Sequence, residues 1–331
     1  MTNPLPPGTD PRASALLDAH REEGASLADA GWHRGGEHLV RAVSWTGGSP
    51  HLDLVETATH TRMSVPLLGT RLAFTVRPDG RYCVGRFAFG RSGDGRYRPC
   101  RDRRLVTAGD QCETCGADDE FRFIHNAHRG GYLPDSLREY VAQPHWVYIA
   151  TFADASCKVG TAAHSRKRAR LDEQGAVRAT YLAWAEDGLA ARVYEDRLTE
   201  VLGVTQAKRR TAKVAALVRA RSAARIEAAH AETVAAAREC LAELSAVLPL
   251  EPWQPPAEHA EFFSAGADEY PHTLASGPHC LTVRAMIGGA ALVTVNDDDA
   301  PFIADLGALK GRRIVPGPVL SPETVTQLGL F

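Results

Sequence analysis

The sequence lacks any run of about twenty consecutive apolar residues, the length that a helix needs to cross a bilayer. We therefore predict no membrane partner. Residues 1–7 also lack the basic region and the apolar stretch of a secretory signal. The seven cysteines are odd in number and unevenly spaced, which argues against the disulfide framework of a secreted protein. These absences predict a cytoplasmic protein with reduced thiols, and the Ala- and Arg-rich composition is typical of a bacterial one.

The chain carries almost no net charge, since 38 Lys and Arg oppose 40 Asp and Glu. This balance excludes a uniform field that would attract nucleic acid or a membrane surface. The charges are unevenly distributed, however, and residues 158–221 contain fourteen Lys and Arg against seven Asp and Glu. This basic block could contact phosphate groups, or it could be the solvated face of a helix.

The length of 331 residues is sufficient for two or three domains, and the patterns along the chain predict an α+β protein. Residues 205–248 are Ala-rich, contain neither Gly nor Pro and place apolar residues at helical spacing, which predicts a long helix or a helical hairpin. This region could pack on the rest of the chain or on a second copy in a homo-oligomer. The predicted order is a flexible N-terminus and helix (1–30), a small antiparallel β-domain (31–90), a cysteine segment (83–130), a central α/β module (145–204), the helical region (205–248) and a small C-terminal β-domain (257–331).

Both β-domains are predicted from short alternating apolar runs that are separated by Gly- and Pro-containing turns. In the C-terminal domain, the two runs within 280–295 flank Gly288 and Gly289, which predicts a hairpin turn there. The other predicted strands are 38–45, 51–56, 63–67, 71–76, 81–87, 302–306 and 312–315.

The cysteine segment has the ligand spacing of a tetrahedral zinc site. Cys112 and Cys115 form a C-x-x-C pair, and two further cysteines precede it. Zn²⁺ is readily bound by thiolates, and Gly-rich loops without an apolar core need such a cross-link. We therefore expect a structural zinc knuckle, whose candidate ligands are Cys83, Cys100, Cys112, Cys115 and His125.

Two alternatives stay open for this segment. His125 could replace Cys83 as the fourth ligand, whereas four thiolates would form a closed site without a catalytic position. The C-x-x-C pair could instead be a redox motif, although such motifs usually open a helix after a strand and both flanks here have the composition of loops.

The central module begins with two apolar runs, 145–150 and 158–161, which predict a pair of strands. The second run contains Gly160, where the backbone can approach a ligand closely, and a helix is predicted to start near Ser165. Tyr148 lies in the first strand, an arginine cluster follows the second, and Glu195 lies in a later helix. Residues of these types could bind and cleave a phosphodiester.

The order of Tyr148, the K-V-G run at 158–160, the arginine cluster and Glu195 resembles the GIY-YIG nuclease superfamily, in the branch where K-I-G or K-V-G replaces Y-I-G. The motifs H-W-V-Y-I-A, K-V-G-T and D-E-Q-G-A, which follow a cysteine-rich segment, more closely resemble domain-of-unknown-function family 2797 over about residues 30–220. The resemblance implies a GIY-YIG-like fold for residues 145–204 and a metal-dependent reaction on nucleic acid, either DNA or RNA.

The resemblance also implies catalytic roles by position. Tyr148 would help to activate water, and Arg168 would bind phosphate, with Arg166 as the alternative. Glu195, with Glu200 as the second choice, would bind Mg²⁺ or Mn²⁺.

Lys158 completes the candidate catalytic set, because it stands where many relatives have a second tyrosine. A lysine acts as a base only when burial or nearby cations lower its pKa. The basic start of the helical region, which includes Lys213, could line a phosphate-binding groove. The candidate substrate-binding residues are Gly160, Arg166, Arg170, Lys208 and Arg209.

These observations predict two main function classes. The first is a metal-dependent endonuclease or phosphodiesterase with a structural zinc site. The second is a non-catalytic, zinc-containing protein that binds nucleic acid or has a regulatory role, because Trp146 and Lys158 replace residues of the nuclease motifs. An enzyme that acts on a small molecule in the same pocket is a third class.

Overall fold

The computed structural model describes residues 36–89, 95–244, 246, 248–296 and 298–324, apart from the side chains of residues 125 and 126. The predicted flexible N-terminus and helix at 1–30 lie outside these ranges. Within them, no helix combines the length and apolar character that crossing a membrane would require.

The described ranges contain fifteen strands, seven α-helices and three 3-10 helices, an α+β composition. The strands are β1 (His38–Thr46), β2 (Ser49–Glu56), β3 (Arg62–Pro66), β4 (Arg71–Val76), β5 (Arg86–Phe89), β6 (Gly95–Arg98), β7 (His145–Thr151), β8 (Cys157–Ala163), β9 (Arg178–Ala185), β10 (Glu251–Pro252), β11 (Asp268–Glu269), β12 (Gly277–Ile287), β13 (Ala290–Val295), β14 (Pro301–Asp305) and β15 (Arg313–Pro316). The α-helices are α1 (Glu113–Ala117), α2 (Asp135–Ala142), α3 (Lys167–Gln174), α4 (Gly188–Leu202), α5 (Arg210–Val218), α6 (Ala223–Ala242) and α7 (His259–Ser264), and the 3-10 helices are Glu120–Arg129, His164–Arg166 and Leu306–Leu309.

Nine strands form one sheet, in the order β11-β14-β13-β12-β4-β15-β1-β2-β3. Strand β4 lies between β12 and β15, so the two segments that the sequence analysis treats as separate β-domains share one sheet. They also share one apolar core, in which Leu72 and Phe74 of β4 belong to the same cluster as Val283 of β12. Each segment has the alternation of a half-buried strand, but alternation does not identify a pairing partner about two hundred residues away.

The second sheet has the order β10-β9-β7-β8, and all of its neighbouring strands are antiparallel. The predicted strand pair at 145–150 and 158–161 is confirmed as β7 and β8. Strand β8 lies at one edge of this sheet, and most of its residues are buried.

Helices cover both faces of this second sheet. Tyr148 and Ala150 of β7 pack with Leu171 of α3 on one face. On the other face, Val147 and Ile149 pack with α4 and α6. Successive strand residues point to opposite faces, so a strand buried on both faces reads as a continuous apolar run.

The helical region contains two successive helices, α5 and α6. The chain contains neither Gly nor Pro at this division. The side chain of Ser222 accepts a hydrogen bond from the backbone N–H of Arg225 and so caps the start of α6.

Candidate functional site

Four cysteine side chains from three separate stretches of chain meet in one buried cluster. Cys83 lies between β4 and β5, Cys100 follows β6, and Cys112 and Cys115 lie before and within α1. Their sulfur atoms all lie within 4.8 Å of one another. Within the described ranges, this is the one group of three or more Cys, His, Asp or Glu that could hold a metal ion.

The spacing of the sulfur atoms fits a metal such as zinc. Four thiolates at about 2.3 Å from a tetrahedral Zn²⁺ would be about 3.8 Å apart. The Sγ atoms of Cys100 and Cys112 are 3.9 Å apart. The side chain of His125 falls outside the described part of the chain, and the four thiolates form a closed set without it. A closed set of this kind is structural, because no position is left for a substrate.

Backbone hydrogen bonds between loops hold the polypeptide around the cysteines. The Cys83 N–H donates to the Arg104 carbonyl at 2.8 Å, and the Val84 N–H donates to the Asp110 carbonyl at 2.9 Å. The buried residues of this cluster are the cysteines themselves. A metal ion would therefore supply the stability that apolar side chains supply elsewhere.

A second cluster, which contains Tyr148, lies at the edge strand of the smaller sheet. Tyr148 of β7 pairs directly with Gly160 of β8. A Cβ atom on Gly160 would lie 2.5 Å from the Tyr148 hydroxyl oxygen and 2.6 Å from its Cζ. The phenol ring crosses over the backbone of Gly160, which explains why the K-V-G run needs glycine at this position.

The Tyr148 hydroxyl is fully buried, and no described group meets it at hydrogen-bonding geometry, although the Arg170 guanidinium lies close enough to act on it. Burial raises the pKa of Tyr148, Arg170 and Arg192 act to lower it, and Glu195 acts to raise it. Charged side chains of both α3 and α4 therefore act on the hydroxyl, although the two helices pack on opposite faces of the sheet. At neutral pH the phenol is protonated.

Lys158 lies on the same edge strand and is only 5 % exposed. Its Nζ donates to Gln174 Oε1 at 3.1 Å and to the Gln206 carbonyl at 3.2 Å. Burial, followed by the positive charges of Arg170 and Lys213, lowers the pKa of Lys158 to about 8. A lysine with this pKa is neutral in a measurable fraction of molecules near neutral pH.

Lys213 of α5 is a further cation in the same place. Its Nζ donates to the Gln174 carbonyl at 2.7 Å and to Gln174 Oε1 at 3.2 Å. Burial, followed by the charges of Arg170 and Lys208, lowers the pKa of Lys213 to about 8. Gln174 thus holds two lysines together at the end of α3. We refer to Tyr148, Lys158, Arg170, Gln174, Arg192, Glu195 and Lys213 as the Tyr148 cluster.

Glu195 is 3 % exposed, and its carboxylate forms an ion pair with Arg192 one turn earlier on α4. The next residue, Asp196, faces the cysteine segment and accepts hydrogen bonds from His128, Arg129 and Gln206. Burial alone would raise the pKa of Asp196, but these hydrogen bonds lower the pKa to about 2. Because the Gln206 carbonyl also accepts from Lys158, the network connects the cysteine segment with the Tyr148 cluster.

The arginines in α3 and directly before it lie in different environments. Arg168 contacts Asp172, with Nε and Oδ2 3.6 Å apart, and its guanidinium lies against Gly48 in the turn between β1 and β2. Arg166 pairs with Glu173 at 2.6 Å. The arginine whose charge acts on Tyr148 and Lys158 is Arg170.

Two other candidate substrate-binding residues lie in or near the loop before α5. Lys208 forms an ion pair with Asp154 and lies 4.9 Å from the centre of the Phe152 ring. Arg209 is exposed and immediately precedes α5. No sequence motif points to Gln174 or Arg192, because only the folded chain shows which side chains these residues contact.

Both clusters fall within a region that is similar to a known family. The family model described as "Protein of unknown function (DUF2797)" matches residues 69–261. This range extends from before β4 to α7 and includes the four cysteines and the Tyr148 cluster. No curated protein and no solved structure matches the chain.

Proposed function

Because the chain belongs to the DUF2797 family, whose description assigns no function, we propose a function from the Tyr148 cluster: a metal-dependent endonuclease or phosphodiesterase of the GIY-YIG type that acts on nucleic acid. The observation that carries this proposal is the fully buried Tyr148 hydroxyl, which no described group meets at hydrogen-bonding geometry and on which charges of both signs act. A buried polar group without a partner is costly, and a bound ligand would satisfy it.

The charge balance of the cluster favours an anionic ligand. Four cations, Lys158, Arg170, Arg192 and Lys213, accompany one buried carboxylate, that of Glu195. Arginine matches phosphate geometry with two parallel hydrogen bonds. Both lysines have lowered pKa values because they are buried beside other cations, and a phosphate would relieve this repulsion.

The cluster also contains groups that suit phosphodiester hydrolysis. Neutral Lys158 would take a proton from the attacking water, and the protonated Tyr148 phenol would donate a hydrogen bond to orient it. Arg170 would bind the phosphate oxygens. The assignment of the base to Lys158 differs from the role of Tyr148 expected from the resemblance, because burial keeps the phenol protonated.

Glu195 is the residue that would hold Mg²⁺ or Mn²⁺. One carboxylate suits Mg²⁺, which retains several water ligands, but Arg192 occupies this carboxylate in the structure. Release of the ion pair would free Glu195 for the metal and Arg192 for the phosphate. When bound, the ion would supply charge neutralisation at the leaving oxygen.

The test is a cleavage assay with single-stranded DNA, duplex DNA and RNA in the presence of Mg²⁺ or Mn²⁺. Glu195→Gln should abolish product formation. The matched control is Glu200→Gln on the same helix, because Glu200 is largely exposed and contacts only Arg197 at 3.7 Å among the described residues. Equal cleavage by wild type and Glu195→Gln would reject the proposed site.

The Arg192–Glu195 ion pair supports a second candidate function, nucleic-acid binding without cleavage. If this pair is permanent, the carboxylate never holds a metal and the cluster is a cationic binding site only. This alternative predicts binding that weakens steeply with salt, with no product in any of the three substrates.

A further inference from the structure

The cysteine segment contains a concentration of arginine that the Tyr148 cluster does not explain. Residues 86–104 include seven arginines and two aspartates, although the whole chain is almost neutral. The described arginines of this stretch lie in the β5–β6 hairpin and in the loop after Cys100. We refer to three arginines of this hairpin and the one that follows Cys100 as the arginine hairpin: Arg86, Arg96, Arg98 and Arg101.

The strand register places three of these arginines on one face of the hairpin. Arg86 pairs directly with Arg98, and Ala88 pairs with Arg96. Arg96 and Arg98 are exposed, while Tyr97 between them is buried. Like charges directly opposite each other destabilise a strand pair. Arg86 is compensated by the Asp118 carboxylate at 3.4 Å, but the fold gives no such partner to Arg98 among the described residues.

The opposite face of the hairpin packs on α2, the helix that leads into the strand of Tyr148. The ring of Phe89 lies 5.3 Å from that of Tyr140 on α2, between ring centres. Burial raises the pKa of Tyr140, while the charges of Arg166, Arg170 and Arg192 lower it. Tyr140 therefore contacts the hairpin and lies within the electrostatic range of the cluster.

We propose that the arginine hairpin binds the sugar–phosphate backbone of nucleic acid at positions outside the Tyr148 cluster. This inference rests on the proposed function, because it assigns a second contact surface to the same partner. A nucleic-acid strand extends beyond the Tyr148 cluster. The phosphates on either side of the bound phosphate therefore need a cationic surface next to the cluster. Guanidinium groups suit this task because their planar donors match phosphate oxygens.

Two arginines of this surface are suitable for substitution. Arg98 and Arg101 are exposed, and neither forms an ion pair within the described part of the chain. Arg86 is less suitable, because it donates to the Asp118 carbonyl at 3.2 Å. The matched control changes Arg225 and Arg238, two exposed arginines of α6, and removes the same amount of charge.

The experiment measures binding of a labelled twenty-nucleotide single strand and of a trinucleotide to wild type, Arg98→Gln/Arg101→Gln and Arg225→Gln/Arg238→Gln. We expect the first variant to bind the long strand on the order of tenfold more weakly. Its slope of log K against log salt concentration should be less negative by about 1.4, the value for two lost contacts to a single strand. Trinucleotide binding and the amount of bound zinc should match wild type, which shows that the segment is folded.

Equal weakening by the two double variants would overturn the inference, because it would show an effect of net charge alone. Binding of phosphatidylserine vesicles but not of either oligonucleotide would also overturn it. Glu195-dependent cleavage with no effect of Arg98→Gln/Arg101→Gln would reject the hairpin surface and keep the proposed function. Loss of long-strand binding in this variant, without cleavage by wild type, would keep the hairpin surface and reject the proposed catalysis.

Discussion

The cysteine cluster and the Tyr148 cluster are both buried and polar, but their surroundings differ. Four identical ligands face each other in the cysteine cluster, whose buried residues are the cysteines themselves. The Tyr148 cluster combines a phenol, cations and a carboxylate on a sheet that has apolar cores on both faces. A closed, uniform set of ligands stabilises a fold, whereas a mixed set held on a rigid support is suited to chemistry.

The largest expected effect comes from removing the metal. Structural zinc contributes about 10–16 kcal/mol in small metal-dependent folds. We expect Cys112→Ser or a strong chelator to unfold the cysteine segment while the smaller sheet stays folded. Metal analysis, together with amide hydrogen exchange of the two regions, measures this difference.

Cys157→Ser is the control for this experiment, because Cys157 is half-buried outside the cluster. The control should retain about one zinc per chain. A stable, fully protected cysteine segment in metal-free Cys112→Ser would contradict the prediction.

The next effect concerns the base in the proposed reaction. If neutral Lys158 removes the proton from water, the rate should rise about tenfold per pH unit below its pKa of about 8 and level off above it. Lys158→Arg keeps the charge but cannot lose a proton near neutral pH, so activity should fall by about 10²–10⁴-fold. The pH–rate profiles of both proteins test this role, and an unchanged profile in Lys158→Arg would exclude it.

A smaller effect is expected from the contact between Tyr148 and Gly160. Gly160→Ala would force a methyl group into the phenol and should destabilise the protein by about 1–3 kcal/mol, as is typical for an overpacked core. Gly317→Ala is the control, because a Cβ there meets nothing within 4 Å. In denaturant unfolding, the combination of Gly160→Ala with Tyr148→Ala should cost less than the sum of the single changes. Full additivity would show that the two residues do not interact.

The smallest effect separates two arginines of α3. Arg170→Gln should weaken oligonucleotide binding by tenfold or more, about the contribution of one charge-assisted hydrogen bond. Arg168→Gln should change it less than threefold, because Arg168 faces Asp172 and the β1–β2 turn. Titration of the two variants with the same oligonucleotide measures the difference, and a reversed order would assign the phosphate contact to Arg168.

Local patterns predicted the elements better than they predicted the contacts between them. The strand pair around Tyr148 and Gly160 and the turn at Gly288 agree with their predicted positions. The C-x-x-C spacing indicated the cysteine cluster, because ligands close in sequence constrain geometry directly.

The choice among neighbouring arginines could not be made from the sequence. Arg166, Arg168 and Arg170 are spaced by two residues, so they point in different directions around a helix. Which of them meets Tyr148 depends on how α3 lies on the sheet. The arginine hairpin was missed for a related reason, since its charges concentrate on one face only through the pairing of β5 with β6.

The position of β4 between β12 and β15 has a practical consequence. The family match begins two residues before β4 and ends at residue 261, before both of its neighbours. A shortened protein cut at those limits would keep the strand and lose every backbone partner on its two sides. Exposed strand edges of this kind invite pairing between chains, so the unit suited to expression reaches at least to residue 316, where β15 ends.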